Sequence, residues 1–153
     1  MSLLESEVQF KKIVVMVQKE VAERLSSEPG SKDYGIVTIA TNFHADTKKL
    51  LDVPRNCFMP APNVDSAIIE LVPRKHPTCN PTSTDMFFRT VKAAFAQRRK
   101  TLINSMCKSG FFSFSKKDIE NAIINSGLSP AVRGETLTLD EFAVLSYELC
   151  KLT

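Results

Sequence analysis

Apolar positions along this chain change their rhythm near its midpoint. Residues 13–17, Ile-Val-Val-Met-Val, form a continuous apolar run rich in β-branched side chains, which predicts a strand buried on both faces. Residues 18–25 read as a helix, and Ser26, Ser27, Pro29 and Gly30 break it. A buried strand running straight into a helix is an α/β signature. Residues 34–43 fit either state: their β-branched side chains favour a strand, whereas Ile36, Ile39, Ala40 and Phe43 fall on one helical face. Residues 50–53 before Pro54 read as the end of a strand, and residues 67–72 as another strand.

Residues 75–83 hold Pro77, Pro81, Thr78, Thr82 and Ser83, a linker composition. A domain boundary is expected there, giving residues 1–75 and 76–153. Beyond it the period becomes helical. Phe88, Val91 and Phe95 share a face; Leu102, Ile103 and Met106 suggest a second, short helix. Residues 115–118, Ser-Lys-Lys-Asp, resemble a capping box, and Gly127 is a natural stop. Thr138 opens a last helix that turns Phe142, Leu145 and Leu149 inward. The second half is thus expected to be a small all-α unit of about four helices.

Hydrophobic residues make up 43% and charged residues 24% of the 153 residues, so a packed core is expected. No apolar run approaches the roughly 20 residues that cross a bilayer, and the polar, acidic start is unlike a signal peptide. Cys57, Cys79, Cys107 and Cys150 are widely spaced. They suit neither a zinc site nor a disulfide framework, and read as reduced thiols of a cytoplasmic protein. His44 and His76 are isolated, and no metal site is expected.

The net charge of +3 hides a concentrated basic segment. Residues 86–117 contain no Asp or Glu, yet carry Arg89, Lys92, Arg98, Arg99, Lys100, Lys108, Lys116 and Lys117, interleaved with six phenylalanines. Such a block suits a polyanion partner, whose counterions it would release; equally, it suits a solvated face whose acidic partners come from elsewhere in the fold. Arg98, Arg99 and Lys100 stand at a helix end, where cations also favour the helix dipole. Polar donors from Gln97, Thr101 and Asn104 lie close by in sequence.

A second stretch, Phe58-Met59-Pro60-Ala61-Pro62-Asn63-Val64-Asp65-Ser66, places a ring before two prolines, each of which fixes its own φ and restrains the residue before it. The segment is either a stiff mount for one ring against a ligand or a proline-stiffened edge with a buried Phe. Glycine never recurs as G-x-G, and P-loop, G-x-S-x-G and H-E-x-x-H motifs are absent. Read from its residues, the chain has no self-contained active site.

Several segments together resemble the KsgA-type ribosomal RNA adenine dimethyltransferases, with the erythromycin-resistance methylases as cousins. They are residues 17–22 (Val-Gln-Lys-Glu-Val-Ala), Tyr34-Gly35, Phe58-x-Pro60-x-Pro62-x-Val64-Asp65-Ser66, Phe95-x-Gln97-Arg98-Arg99-Lys100-Thr101-Leu102-x-Asn104-Ser105 and Arg133-x-Glu135-x-Leu137. The resemblance implies the C-terminal part of a Rossmann-like class I methyltransferase domain followed by a small all-α domain. It implies an S-adenosylmethionine-dependent reaction at the N6 atoms of adenines in small-subunit ribosomal RNA, in ribosome biogenesis. It also implies that Phe58 stacks on the extruded adenine and that Arg98, Arg99 and Lys100 either contact RNA phosphate or tie the helical domain to the methyltransferase core; Arg89, Lys92 and Asn104 of the basic segment are expected RNA contacts too.

The family's G-x-G-x-G cofactor loop and Asn-Leu-Pro-Tyr-type catalytic motif do not occur here. The chain is therefore expected to be a fragment, with Met1-Ser2-Leu3 suiting an added start. No cofactor is expected on it, and it is expected to be inactive alone. A parallel sheet cut midway would expose an edge and apolar faces, so dimerisation, strand exchange or partial disorder is expected in residues 1–75. The alternatives are a standalone, non-enzymatic RNA-binding module, and a helical domain that serves protein contact.

Overall fold

The computed structural model describes residues 10–74 and 78–153. Contacts divide it into two compact units, the first comprising Met1–Glu28 and Asp33–Thr78, the second Pro29–Lys32 and Cys79–Thr153. The expected boundary between residues 75 and 76, His76 and the start at residues 1–3 all lie outside the described residues.

In the first unit, strand β1 (Ile13–Gln18) leads directly into helix α1 (Lys19–Leu25). Helix α2 (Ile36–His44) runs without a loop into β2 (Ala45–Val53), and β3 (Ser66–Pro73) completes the sheet. The ambiguous stretch is thus helical. Ile39 and Phe43, one turn apart, are both buried, and this tertiary burial outweighs the β-branched propensity of the segment.

The strand order is β1-β3-β2, and β3 is antiparallel to both neighbours. This corrects the expectation of a parallel sheet. β1 and β2 do run in the same direction, but β3 lies between them and takes both ladders. Val15 pairs with Ile69 and Val17 with Ala67, and a bulge between Lys49 and Leu51 interrupts the β2 ladder. Ile13, Ala22, Ala45, Ala67, Ile69 and Leu71 form the core, with Val15, Val17 and Leu25 packed against it. The other face of β1 is open: Val14 is 53% and Met16 51% exposed. The strand is therefore half-buried, not covered on both faces. Residues 13–17 are apolar throughout, so the sequence carries no alternation that would mark the open side.

The second unit contains α3 (Thr84–Phe95), α4 (Leu102–Cys107), α5 (Lys116–Asn125) and α6 (Leu139–Cys150), with no strand among its described residues. Ser83 caps α3 by accepting from Met86 N. Capping boxes at Ser115–Asp118 and Thr138–Glu141 start α5 and α6. Gly127, at φ +77°, lies just past the end of α5, a conformation that glycine adopts without strain. Phe87, Val91, Leu102, Ile123, Phe142 and Leu145 fill the core. These helices hold the basic segment on a packed frame.

Candidate nucleic-acid interface

The Phe58 loop belongs to the first unit and is closed by its own hydrogen bonds. Asp65 Oδ1 accepts from Arg55 N at 3.0 Å, and Arg55 Nη1 donates to Asn63 O at 3.3 Å. Asp65 O accepts from Lys19 N at 3.0 Å, tying the loop to the start of α1. A 3-10 turn, Arg55–Cys57, delivers Phe58, whose N–H donates to Arg55 O at 3.3 Å. Phe58 is half-buried, whereas Met59 after it is fully exposed. The Met59–Pro60 peptide bond is cis. The same residues border an open groove of about 490 Å³ that includes Lys19, Glu20, Glu23, Arg55 and Val64. Its lining is of mixed charge.

The remaining candidates belong to the second unit. Arg89 and Lys92 sit on α3; Arg98, Arg99 and Lys100 occupy the turn that follows it; Asn104 is on α4. The basic segment divides in two. Arg98 Nε donates to Glu135 Oε2 at 2.8 Å, and its Nη2 to Ser31 O at 3.2 Å. Arg89 Nη2 donates to Phe111 O at 2.7 Å, its guanidinium lies 5.3 Å from the Phe112 ring centre, and Asp85 lies 4.0 Å away. These two arginines brace the unit. Lys92, Arg99, Lys100, Lys108, Lys116 and Lys117 are exposed, and none makes a side-chain hydrogen bond or ion pair among the described residues. Asn104 Nδ2 donates to Thr101 Oγ1 at 2.9 Å, so its amide serves the start of α4.

Two anchors of this surface stand within the quoted motifs but were given no role from the sequence. The first is Ser105, fully buried on α4. Its Oγ lies 2.8 Å from Ala93 O and 2.9 Å from Ala94 O, sharing its one hydrogen between them, and accepts from Gln97 N at 2.9 Å. One hydroxyl thus serves the carbonyls at the end of α3 and, through Gln97 N, ties down the turn that carries Arg98, Arg99 and Lys100. The second is the 3-10 turn Gly134–Thr136. A Cβ on Gly134 would stand 2.9 Å from both Ala94 Cβ and Ala94 O. Absence of a side chain brings Glu135 against the same helix end, where its carboxylate meets Arg98 and its carbonyl accepts from Gly30 N at 2.7 Å. The signal was present as an acidic residue in Arg133-x-Glu135-x-Leu137, but nothing local links it to a cation 37 positions away.

Among the described residues no group of His, Cys, Asp or Glu side chains could hold a metal ion. No described helix is long and apolar enough to cross a membrane. Cys79 is buried, and burial, reinforced by the charge of Asp140, pushes its thiol up to about 11. Cys57 and Cys107 are exposed.

Comparison with known proteins places this arrangement. Residues 1–142 match the family profile described as "Ribosomal RNA adenine dimethylase". "Ribosomal RNA small subunit methyltransferase A" of Anoxybacillus flavithermus is 45% identical over 97% of this chain and 51% of its own length. The protein of that name from Geobacillus kaustophilus is 46% identical over 99% of this chain and 52% of its own. The chain spans about half the length of the curated relatives it matches. A dimethyladenosine transferase from Plasmodium falciparum superposes with a TM-score of 0.81 at 25% identity, over 98% of this chain and 61% of that one. The 23S rRNA methyltransferase ErmE, at a TM-score of 0.62 and 21% identity, shares the fold over 96% of this chain and 57% of its own. The small sheet with its two helices is thus the later part of a class I methyltransferase fold, with a helical unit after it. Sequence and fold agree on one assignment: this chain belongs to the ribosomal RNA adenine dimethylase family.

Proposed function

We propose that this chain forms the RNA-holding and base-stacking part of an S-adenosylmethionine-dependent ribosomal RNA (adenine-N6,N6-)dimethyltransferase acting on small-subunit RNA in ribosome biogenesis, in the cytoplasm. In this reading residues 1–75 present Phe58 to an adenine swung out of its stack, and residues 76–153 grip the RNA. A ring on a loop already locked by Asp65 and Arg55 needs little further ordering when the base arrives.

The observation that carries the reading is the division of the basic segment. Arg89 and Arg98 brace the helical unit, while Lys92, Arg99, Lys100, Lys108, Lys116 and Lys117 keep their charge unpaired. Six unpaired cations within an acid-free segment form a phosphate-binding surface rather than an internally neutralised face. The assignment of RNA contact narrows accordingly: Lys92, Arg99 and Lys100 touch phosphate, and Arg98 and Asn104 position the turn beside them.

The groove along the Phe58 loop does not suit S-adenosylmethionine. That groove is bordered by Lys19, Glu20, Glu23 and Arg55, with Val64 as its apolar wall, and no described glycine lines it. No step is derived through the donor, and the chain alone is inactive in this reading. The test is a titration with a small-subunit RNA helix. Lys92→Ala, Arg99→Ala and Lys100→Ala combined should weaken binding about equally for different sequences, because phosphate contacts carry no base information. Unchanged affinity in that variant would overturn the proposal.

A further inference from the structure

The aromatic loop between α4 and α5 is not used by the reading above. Its backbone is pinned at successive points. Ser109 Oγ donates to Met106 O at 2.7 Å and accepts from Phe111 N at 3.2 Å. Gly110 takes φ +73°, the left-handed conformation that a side chain disfavours. Arg89 then donates to Phe111 O at 2.7 Å. The loop presents three rings. Phe112 and Phe114 stack with centres 5.4 Å apart and planes 13° apart. The Arg89 guanidinium lies over Phe112 at 5.3 Å. Phe111 is 38% exposed, and the Arg89 side chain 41% exposed.

A satellite core would hide such rings; here a ring and a guanidinium plane both reach solvent, and the loop holds both in place. Lys108 precedes the loop, Lys116 and Lys117 follow it, and all three are exposed and unpartnered among the described residues. Aromatic and guanidinium faces beside free ammonium groups match the chemistry of an unpaired base on a phosphate backbone. We propose that Phe111 and the Arg89–Phe112 pair form a second stacking platform, which takes an unpaired base of RNA while Lys108, Lys116 and Lys117 hold the adjoining phosphates. This inference rests on the chain being an RNA binder, and it adds a site distinct from Phe58.

The test uses the full chain in a Phe58→Ala background, so that Phe58 contributes no signal. The probe is a short single-stranded RNA carrying one 2-aminopurine, whose fluorescence is quenched on stacking. Phe111→Ser and Arg89→Lys each keep the net charge. Either should abolish the quenching and weaken binding about tenfold, with the salt slope unchanged. Lys108→Ala should do the reverse, lowering the slope by about 0.7 and leaving the quenching intact. Thermal melts check folding; Phe111→Ser, at an exposed ring, carries the test if Arg89→Lys loosens the loop. Quenching that persists in a folded variant overturns the platform. So does salt-dependent binding without quenching in the parent chain, which would leave the rings to a protein partner. No salt-dependent binding at all would refute the RNA reading itself and the platform with it.

Discussion

Ser105→Ala is the sharpest test of how the basic turn is held. The hydroxyl is fully buried and meets two carbonyls and one N–H, all within 2.9 Å. Alanine removes it without adding atoms, leaving Gln97 N–H unsatisfied and two helix-end carbonyls weakly served. A net hydrogen bond contributes about 1 kcal/mol, and an orphaned buried group costs about 1–3 kcal/mol. The expected loss is therefore about 2–4 kcal/mol, a large share of the roughly 5–15 kcal/mol that stabilises a domain. For a unit of this size it should lower the melting temperature by about 10–30 °C. Urea unfolding followed by circular dichroism reads the loss directly. Thr136→Ala is the control: that hydroxyl donates to Arg133 O from an exposed position, and its loss should stay within about 0.5 kcal/mol. If Ser105→Ala matched the control, the hydroxyl would not be what anchors the end of α3.

Further outcomes are expected. Gly134→Ala should destabilise by about 1–3 kcal/mol in the same assay, because the new methyl meets backbone as well as Ala94 Cβ at 2.9 Å and the helix end cannot yield cheaply. A thiol reagent at mildly alkaline pH should label Cys57 and Cys107 quickly and Cys79 only on unfolding. Because burial raises the Cys79 thiol to about 11, folding favours its protonated form; stability should fall as pH rises from about 9 towards 11, and a flat profile there would contradict the burial. β1 is an edge strand with Val14 and Met16 exposed, so light scattering should show concentration-dependent self-association that Val14→Lys suppresses; a monomer at every concentration would refute this.

The helical half was legible in the sequence because its signals are local. Ser115 with Asp118, Thr138 with Glu141, and Gly127 each act within one turn, and the structure places helix ends at those residues. The first half was less legible because its outcome depends on distant partners. Ile36 to Phe43 carries both periods, and the burial of Ile39 and Phe43 decides for helix. An all-apolar strand cannot announce that Val14 and Met16 face outward, nor that β3 enters between β1 and β2. At the candidate interface, the acid-free window marked where cations concentrate but not which remain free. For Arg98 that division is set by Glu135, brought to the end of α3 by the close approach of Gly134 to Ala94; for Arg89 it is set by Phe111 O and Asp85.

The central claim is that six cations of the helical unit are free to meet phosphate. Measuring affinity for single-stranded RNA across a salt series tests it most directly. With about 0.7 counterions released per phosphate contact, full engagement gives a log–log slope of about −4, and removing Lys92, Arg99 and Lys100 should bring it to about −2. A slope near zero, or one that those substitutions leave unchanged, would contradict the account.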